Sequence, residues 1–196
     1  MNRLMRAMPW AAAVSAWLLG GCVQAPGTPP ERGLAYGDLF GVAITTEPVA
    51  TSIASASYFL RSPGALKRRP ALAAQVAAQY EFAAHELEGL RFVGLSPLTQ
   101  ILMRQGREEL RGILGVRRDA EPDAVIRPLV AAAGALARED RAAAEAALRA
   151  PIFVRPPAEV LATLADMPPT IRAGRAAAFA ESQLNRPDGD HRRLPF

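Results

Sequence analysis

Apolar residues recur at three- and four-residue spacing through most of the chain after residue 47, the signature of helices with one buried face. Val49, Ile53, Ala56 and Leu60 form such a stripe over 48–60, with small serines and alanines elsewhere. A basic connector, Lys67-Arg68-Arg69, bracketed by Gly64 and Pro70, leads to the clearest pattern. There Leu72, Val76, Tyr80, Ala83 and Leu87 predict a helix over 71–87 with a narrow apolar face, ended by Gly89. Ser96-Pro97 predicts the next start, since serine can accept from an orphan amide and proline at the first helical position has none to leave unpaired. That helix should run to about Ile113 or Leu114. Val125, Ile126, Leu129, Val130, Ala133 and Leu136 predict another, which Pro128 must either kink or begin. Asp140 is placed to cap an alanine-rich helix through Leu148, and Pro156-Pro157 and Pro168-Pro169 each open a further helical run.

Two stretches depart from this pattern. Residues 36–47, with Leu39, Phe40, Val42 and Ile44, suit either a short extended segment or an apolar loop tucked into the core. Residues 185–196, with Pro187, Asp188-Gly189-Asp190 and Arg192-Arg193, read as a solvated, disordered tail. No fixed-period repeat emerges. The predicted fold is all-α, an irregular bundle of about six or seven helices over 36–184.

The N-terminus follows a different logic. Arg3 and Arg6 precede an apolar run, Trp10 to Leu19, too short to span a bilayer comfortably, since spanning takes ~20 apolar residues. Directly after it comes Leu19-Gly20-Gly21-Cys22, which contains the only cysteine of the chain. This pattern resembles the lipobox of bacterial lipoproteins. The resemblance implies that residues 1–21 are a signal peptide removed at Cys22, that the Cys22 thiol carries a diacylglyceryl group, and that its new amino group is acylated. Several acyl chains anchor stably where one does so only marginally. In related lipoproteins an aspartate after the cysteine favours inner-membrane retention; Val23 stands there, so the resemblance points to the periplasmic face of the outer membrane. Residues 22–35, rich in proline and glycine, read as a tether.

Composition adjusts this picture in three ways. Loss of residues 1–21 would take Arg3 and Arg6 from the 23 basic residues, leaving 21 against 19 acidic ones, so the mature chain is close to neutral. Lys67 is the only lysine, and arginine and alanine abound throughout, a compositional bias that weakens any reading of arginine clusters as nucleic-acid sites. With Cys22 committed to lipid, no intrachain disulfide is possible and apolar packing must hold the fold.

Chemistry is sparse. Glu81, His85 and Glu88 share a helical face at metal-ligand spacing, but they point away from the Leu72–Leu87 stripe and are expected to face water. The position that would complete a zinc-protease motif after His85-Glu86 holds Gly89. Arg104, Arg107 and Arg111 form a second charged face, with Glu108 near enough to pair; a solvated face is expected, and binding of anionic headgroups is the sharper option. Gln105 and Glu109 fall inside the apolar arc, so either that helix end is exposed or Glu109 meets an arginine at a helix contact.

Asp188, Asp190 and His191 match no calcium loop and receive no role. Glu181-Ser182, followed by Asn185-Arg186-Pro187, faintly resembles the segment around the catalytic acid of lytic transglycosylases. Arg186 interrupts the Asn-Pro pair, and the glycine-rich motif that follows the glutamate in that family does not follow here. No metal and no cofactor beyond the Cys22 lipid is expected, and nucleic acid is not an expected partner.

The functional expectation is a membrane-anchored envelope lipoprotein whose helical domain is a non-catalytic scaffold or accessory that binds another envelope protein. The alternative is a carrier or sensor holding an apolar ligand between helices, with a dry pocket lined by residues such as Phe59, Tyr80 and Phe92. An envelope hydrolase acting through Glu181 or Glu109 comes third.

Overall fold

Proline and its neighbours set most of the helix starts. In the computed structural model, which describes residues 36–41, 46–62 and 64–186, five helices begin with proline in their first turn, where its missing amide costs nothing. The element order is α1 (Tyr36–Phe40), α2 (Pro48–Arg61), α3 (Pro70–Glu86), a single 3-10 turn (Leu90–Phe92), α4 (Pro97–Leu114), α5 (Pro122–Ala137), α6 (Arg141–Ala147), α7 (Pro157–Ala165) and α8 (Ile171–Leu184). Among the described residues there is no strand, only an isolated antiparallel bridge between Val116 and Phe153. Cys22 and Leu19 to Gly21 lie outside the described residues, as do Asp188, Asp190 and His191.

Among the described residues the fold is all-α, with eight helices where about six or seven were anticipated. The extra one is α1, in the ambiguous 36–47 segment, which buries Leu39 and Phe40 as one helical turn. Two glutamines of α3 hold it there: Gln75 Nε2 donates to the Phe40 carbonyl at 2.7 Å and Gln79 Nε2 to the Leu39 carbonyl at 3.3 Å. Local capping follows the sequence in some places and not in others. Glu47 accepts from the Ala50 amide at the start of α2, and Asp140 accepts from the Ala143 amide at the start of α6. Ser96 occupies the cap position of α4, but its side chain makes no capping bond. Pro128 neither begins nor ends α5; it sits inside the helix, which starts at Pro122. Gly115 closes α4 in the left-handed conformation, φ 68°, and the Val116 amide reaches back to the Arg111 carbonyl at 2.8 Å.

α3 is the centre of the bundle. It packs against α1, α2, α4, α5 and α7, so eleven of its seventeen residues are buried, six of them alanines. The narrow apolar face read from the sequence therefore widens to nearly the whole circumference. Small side chains also bring α8 close to its neighbours. A Cβ on Gly106 of α4 would lie 2.7 Å from Ala173 Cα and collide with the Tyr80 hydroxyl, and one on Gly174 would lie 2.8 Å from the Leu60 carbonyl oxygen. Such contacts admit no larger residue without a shift of backbone. The described residues belong to one compact unit, with the core cluster running from Leu39 to Ala180.

Candidate functional site

The charged residues singled out by spacing are redistributed by packing. Glu81, expected on a solvated face, is buried: its carboxylate receives both Arg111 Nη2, at 2.5 Å, and Arg111 Nε, at 3.1 Å, as a bidentate pair. The cause is the central position of α3, which leaves the middle of that helix no face for water. His85 is half-buried and Glu88 exposed, so the three do not form a common site. Among the described residues no group of three or more His, Cys, Asp or Glu side chains is placed to hold a metal ion.

Arg104, Arg107 and Arg111 do not share one solvated face either. Their side chains are 54%, 18% and 7% exposed, a descent from water into the core along the last turns of α4. Arg111 also donates to the carbonyls of Arg117 and Arg118, at 3.5 and 2.8 Å, which ties the loop after α4 to the buried pair. The acid that Arg104 and Arg107 reach is Glu88, just past the end of α3, at 3.9 and 3.7 Å, rather than Glu108. Among the described residues no ion pair joins Glu109 to an arginine; its carboxylate accepts the Ala173 amide at 2.8 Å and satisfies a donor in the first turn of α8. Gln105 is exposed. Tyr80 is fully buried and donates to the Met103 carbonyl at 3.2 Å. Burial pushes its phenol pKa well up; the nearby Glu109 carboxylate adds to this and Arg107 opposes it. At the surface, Arg117 hydrogen-bonds Asp119 and thereby lowers that carboxyl's pKa.

Glu81 and Glu109 are thus occupied in holding helices together. Glu181, on α8, lines a shallow depression with Ser57, Tyr58 and Arg61, where no second carboxylate among the described residues stands opposite it. Phe59, Tyr80 and Phe92 do not line a common pocket. Tyr80 is in the core, Phe92 packs half-buried in the 3-10 turn, and Phe59 lines a cleft at the junction of α2 with α8.

That cleft, about 580 Å³ in volume, lies between the C-terminal turn of α2, the 64–67 connector and the 166–175 segment. Phe59, Leu66, Met167 and Ile171 give it apolar walls, and Arg61, Lys67 and Arg175 give it cationic ones, against one acid, Asp166. The connector is fixed by its own backbone: Arg68 adopts a left-handed conformation, φ 59°, and its amide donates to the Ala165 carbonyl at the end of α7 at 2.7 Å. Sequence reading did not find this site, because its two halves lie about a hundred residues apart and neither has a motif. No family model, no curated protein and no solved structure matches this chain. Its chemistry must therefore be argued from its own residues: an amphiphilic surface able to take an apolar group and an anionic one side by side.

Proposed function

We propose that this chain is a lipid-anchored protein of the bacterial envelope whose helical domain binds another envelope component without catalysing a reaction. The anchor is assigned to Cys22, in the Leu19-Gly20-Gly21-Cys22 pattern that resembles a lipobox, with residues 1–21 as signal peptide and 22–35 as tether. Among the described residues no helix is long and apolar enough to cross a membrane, so a membrane address has to come from another element. Outer-membrane sorting follows from Val23 by the same resemblance.

The observation that carries the binding role is the cleft between α2 and α8. Its apolar wall and three cations suit an amphipathic segment of a partner protein that presents carboxylates beside apolar side chains. The buried Glu81 and the half-buried Glu109 do not compete with this reading, since both are engaged in the fold. A carrier of an apolar ligand is the second reading, favoured by Phe59, Met167 and Ile171 in the same cleft.

A photo-crosslinking residue at Met167, used in intact cells, tests the choice. Capture of one reproducible envelope protein that is lost in Arg61→Glu and Arg175→Glu variants supports the scaffold. Co-purifying lipid in place of protein supports the carrier. Anchoring is tested separately: Cys22→Ser should release the domain from membranes and abolish the acyl mass, whereas membrane association of an uncut chain would make residues 1–21 the anchor.

A further inference from the structure

We infer that the 3-10 turn and the start of α4 form a membrane-inserting edge that seats the domain on a lipid surface. Leu90 is 90% exposed and Val93 74%, and Leu98 and Ile101, three residues apart on α4, are exposed beside them. Four of the seven exposed large apolar side chains among the described residues thus fall within twelve consecutive positions. Phe92 and Leu95 alternate with them and pack against the core, which holds the edge in shape. From Gly89 to Met103 the only charged residue is Arg91, a cation. Its guanidinium lies 5.6 Å from the Phe92 ring centroid and 3.4 Å from Glu47, at the rim of the apolar group rather than within it. An apolar edge bordered by a cation is what an interfacial lipid contact requires, with the side chains among acyl chains and the guanidinium at the headgroups.

The course of the chain selects lipid over other occupants. The Arg91–Glu47 contact puts this edge at the N-terminal end of α2. Only 13 residues separate Cys22 from Tyr36, so an acyl group on Cys22 holds the domain within about 50 Å of the bilayer, even fully extended. This part of the argument rests on the anchor proposed above. The cleft lies at the opposite end of α2, a 14-residue helix and hence about 20 Å away. Insertion of the Leu90–Ile101 edge would turn the cleft away from the membrane and leave it open to a partner.

The test does not depend on Cys22 acylation. The full chain carrying Cys22→Ser and an N-terminal hexahistidine tag is held on vesicles of phosphatidylethanolamine and phosphatidylglycerol containing nickel-chelating lipid. With the only native cysteine removed, Val93→Cys or Val154→Cys takes a single environment-sensitive fluorophore; Val154 is 71% exposed and serves as a matched control. The expected result is a severalfold, blue-shifted rise at position 93, quenched by spin-labelled lipid, with no change at 154. Leu90→Ser with Ile101→Ser should cut the quenchable fraction at 93 about tenfold, since two partly buried leucine-sized side chains are lost from the bilayer. No change at 93, or an equal change at 154, overturns the inference. So does a change at 93 that follows protein concentration without vesicles, which would assign the edge to a second copy of the chain. Absence of an acyl mass on Cys22 of the unaltered chain in cells would overturn only the anchor.

Discussion

Glu81, on α3, and Glu88, seven residues on and just past the end of that helix, both meet arginines of α4, yet one pair is sealed in the core and the other lies at the surface. Glu81 and Arg111 are 4% and 7% exposed at the side chain and share two hydrogen bonds. Glu88 reaches Arg104 and Arg107 only at 3.9 and 3.7 Å, in contact with water. The same residue types at helical spacing therefore perform different work. The inner pair fixes how α3 and α4 cross, because misalignment would leave a charge without water or partner. The outer contact is screened and replaceable.

Breaking the inner pair should give the largest effect. Glu81→Ala or Arg111→Ala should destabilise the fold by about 3–5 kcal/mol in urea titration, because each leaves an unpaired charge in the core. Replacing both, as Glu81→Leu with Arg111→Met, should restore stability to near that of the parent. A double variant as unstable as either single one would mean that Arg111 matters mainly through the carbonyls of Arg117 and Arg118.

Gly106→Ala sharpens the comparison from the side of packing. Its Cβ would meet the Tyr80 hydroxyl and the Ala173 backbone, so α4 must lift from both neighbours, at a cost of about 1–3 kcal/mol. Tyr80→Phe keeps the shape and removes only the bond to the Met103 carbonyl, a loss of about 1 kcal/mol at neutral pH.

That substitution also carries a pH signature. Burial raises the Tyr80 phenol pKa above its unfolded value, so below the ordinary tyrosine range, about pH 10, both states hold the proton and stability is level. Above it only the unfolded chain releases the proton, and stability falls with rising pH. The Tyr80→Phe variant should show a shallower alkaline decline; an unchanged decline would place its origin elsewhere. The smallest effect belongs to the outer contact: Glu88→Ala should change stability by no more than about 0.5 kcal/mol, and added salt should erase the difference.

How far the sequence could be read follows the same division. The stripe Val49, Ile53, Ala56, Leu60 is buried as expected, and so are Val76, Tyr80, Ala83 and Leu87. Asp140 caps α6 as its position suggested. Glu81 was misplaced because periodicity reports one preferred face and is silent about how many neighbours a helix has. An alanine-rich helix can be enclosed on every side, since small residues let neighbours approach from all directions. Glu109 was odd for a reason invisible in one helix: its partner amide belongs to Ala173, 64 residues on.

By itself the sequence determined the helical character of the chain from Pro48 onward, most of its helix starts and the pattern at Cys22. Capping, proline geometry and apolar periodicity act over a few residues, and their physics is local. Only the tertiary structure decided which charges are buried, where the α2–α8 cleft opens and that Leu90, Val93, Leu98 and Ile101 stay uncovered. Each of these depends on which helix lies against which, a choice set by the free energy of the whole packed core.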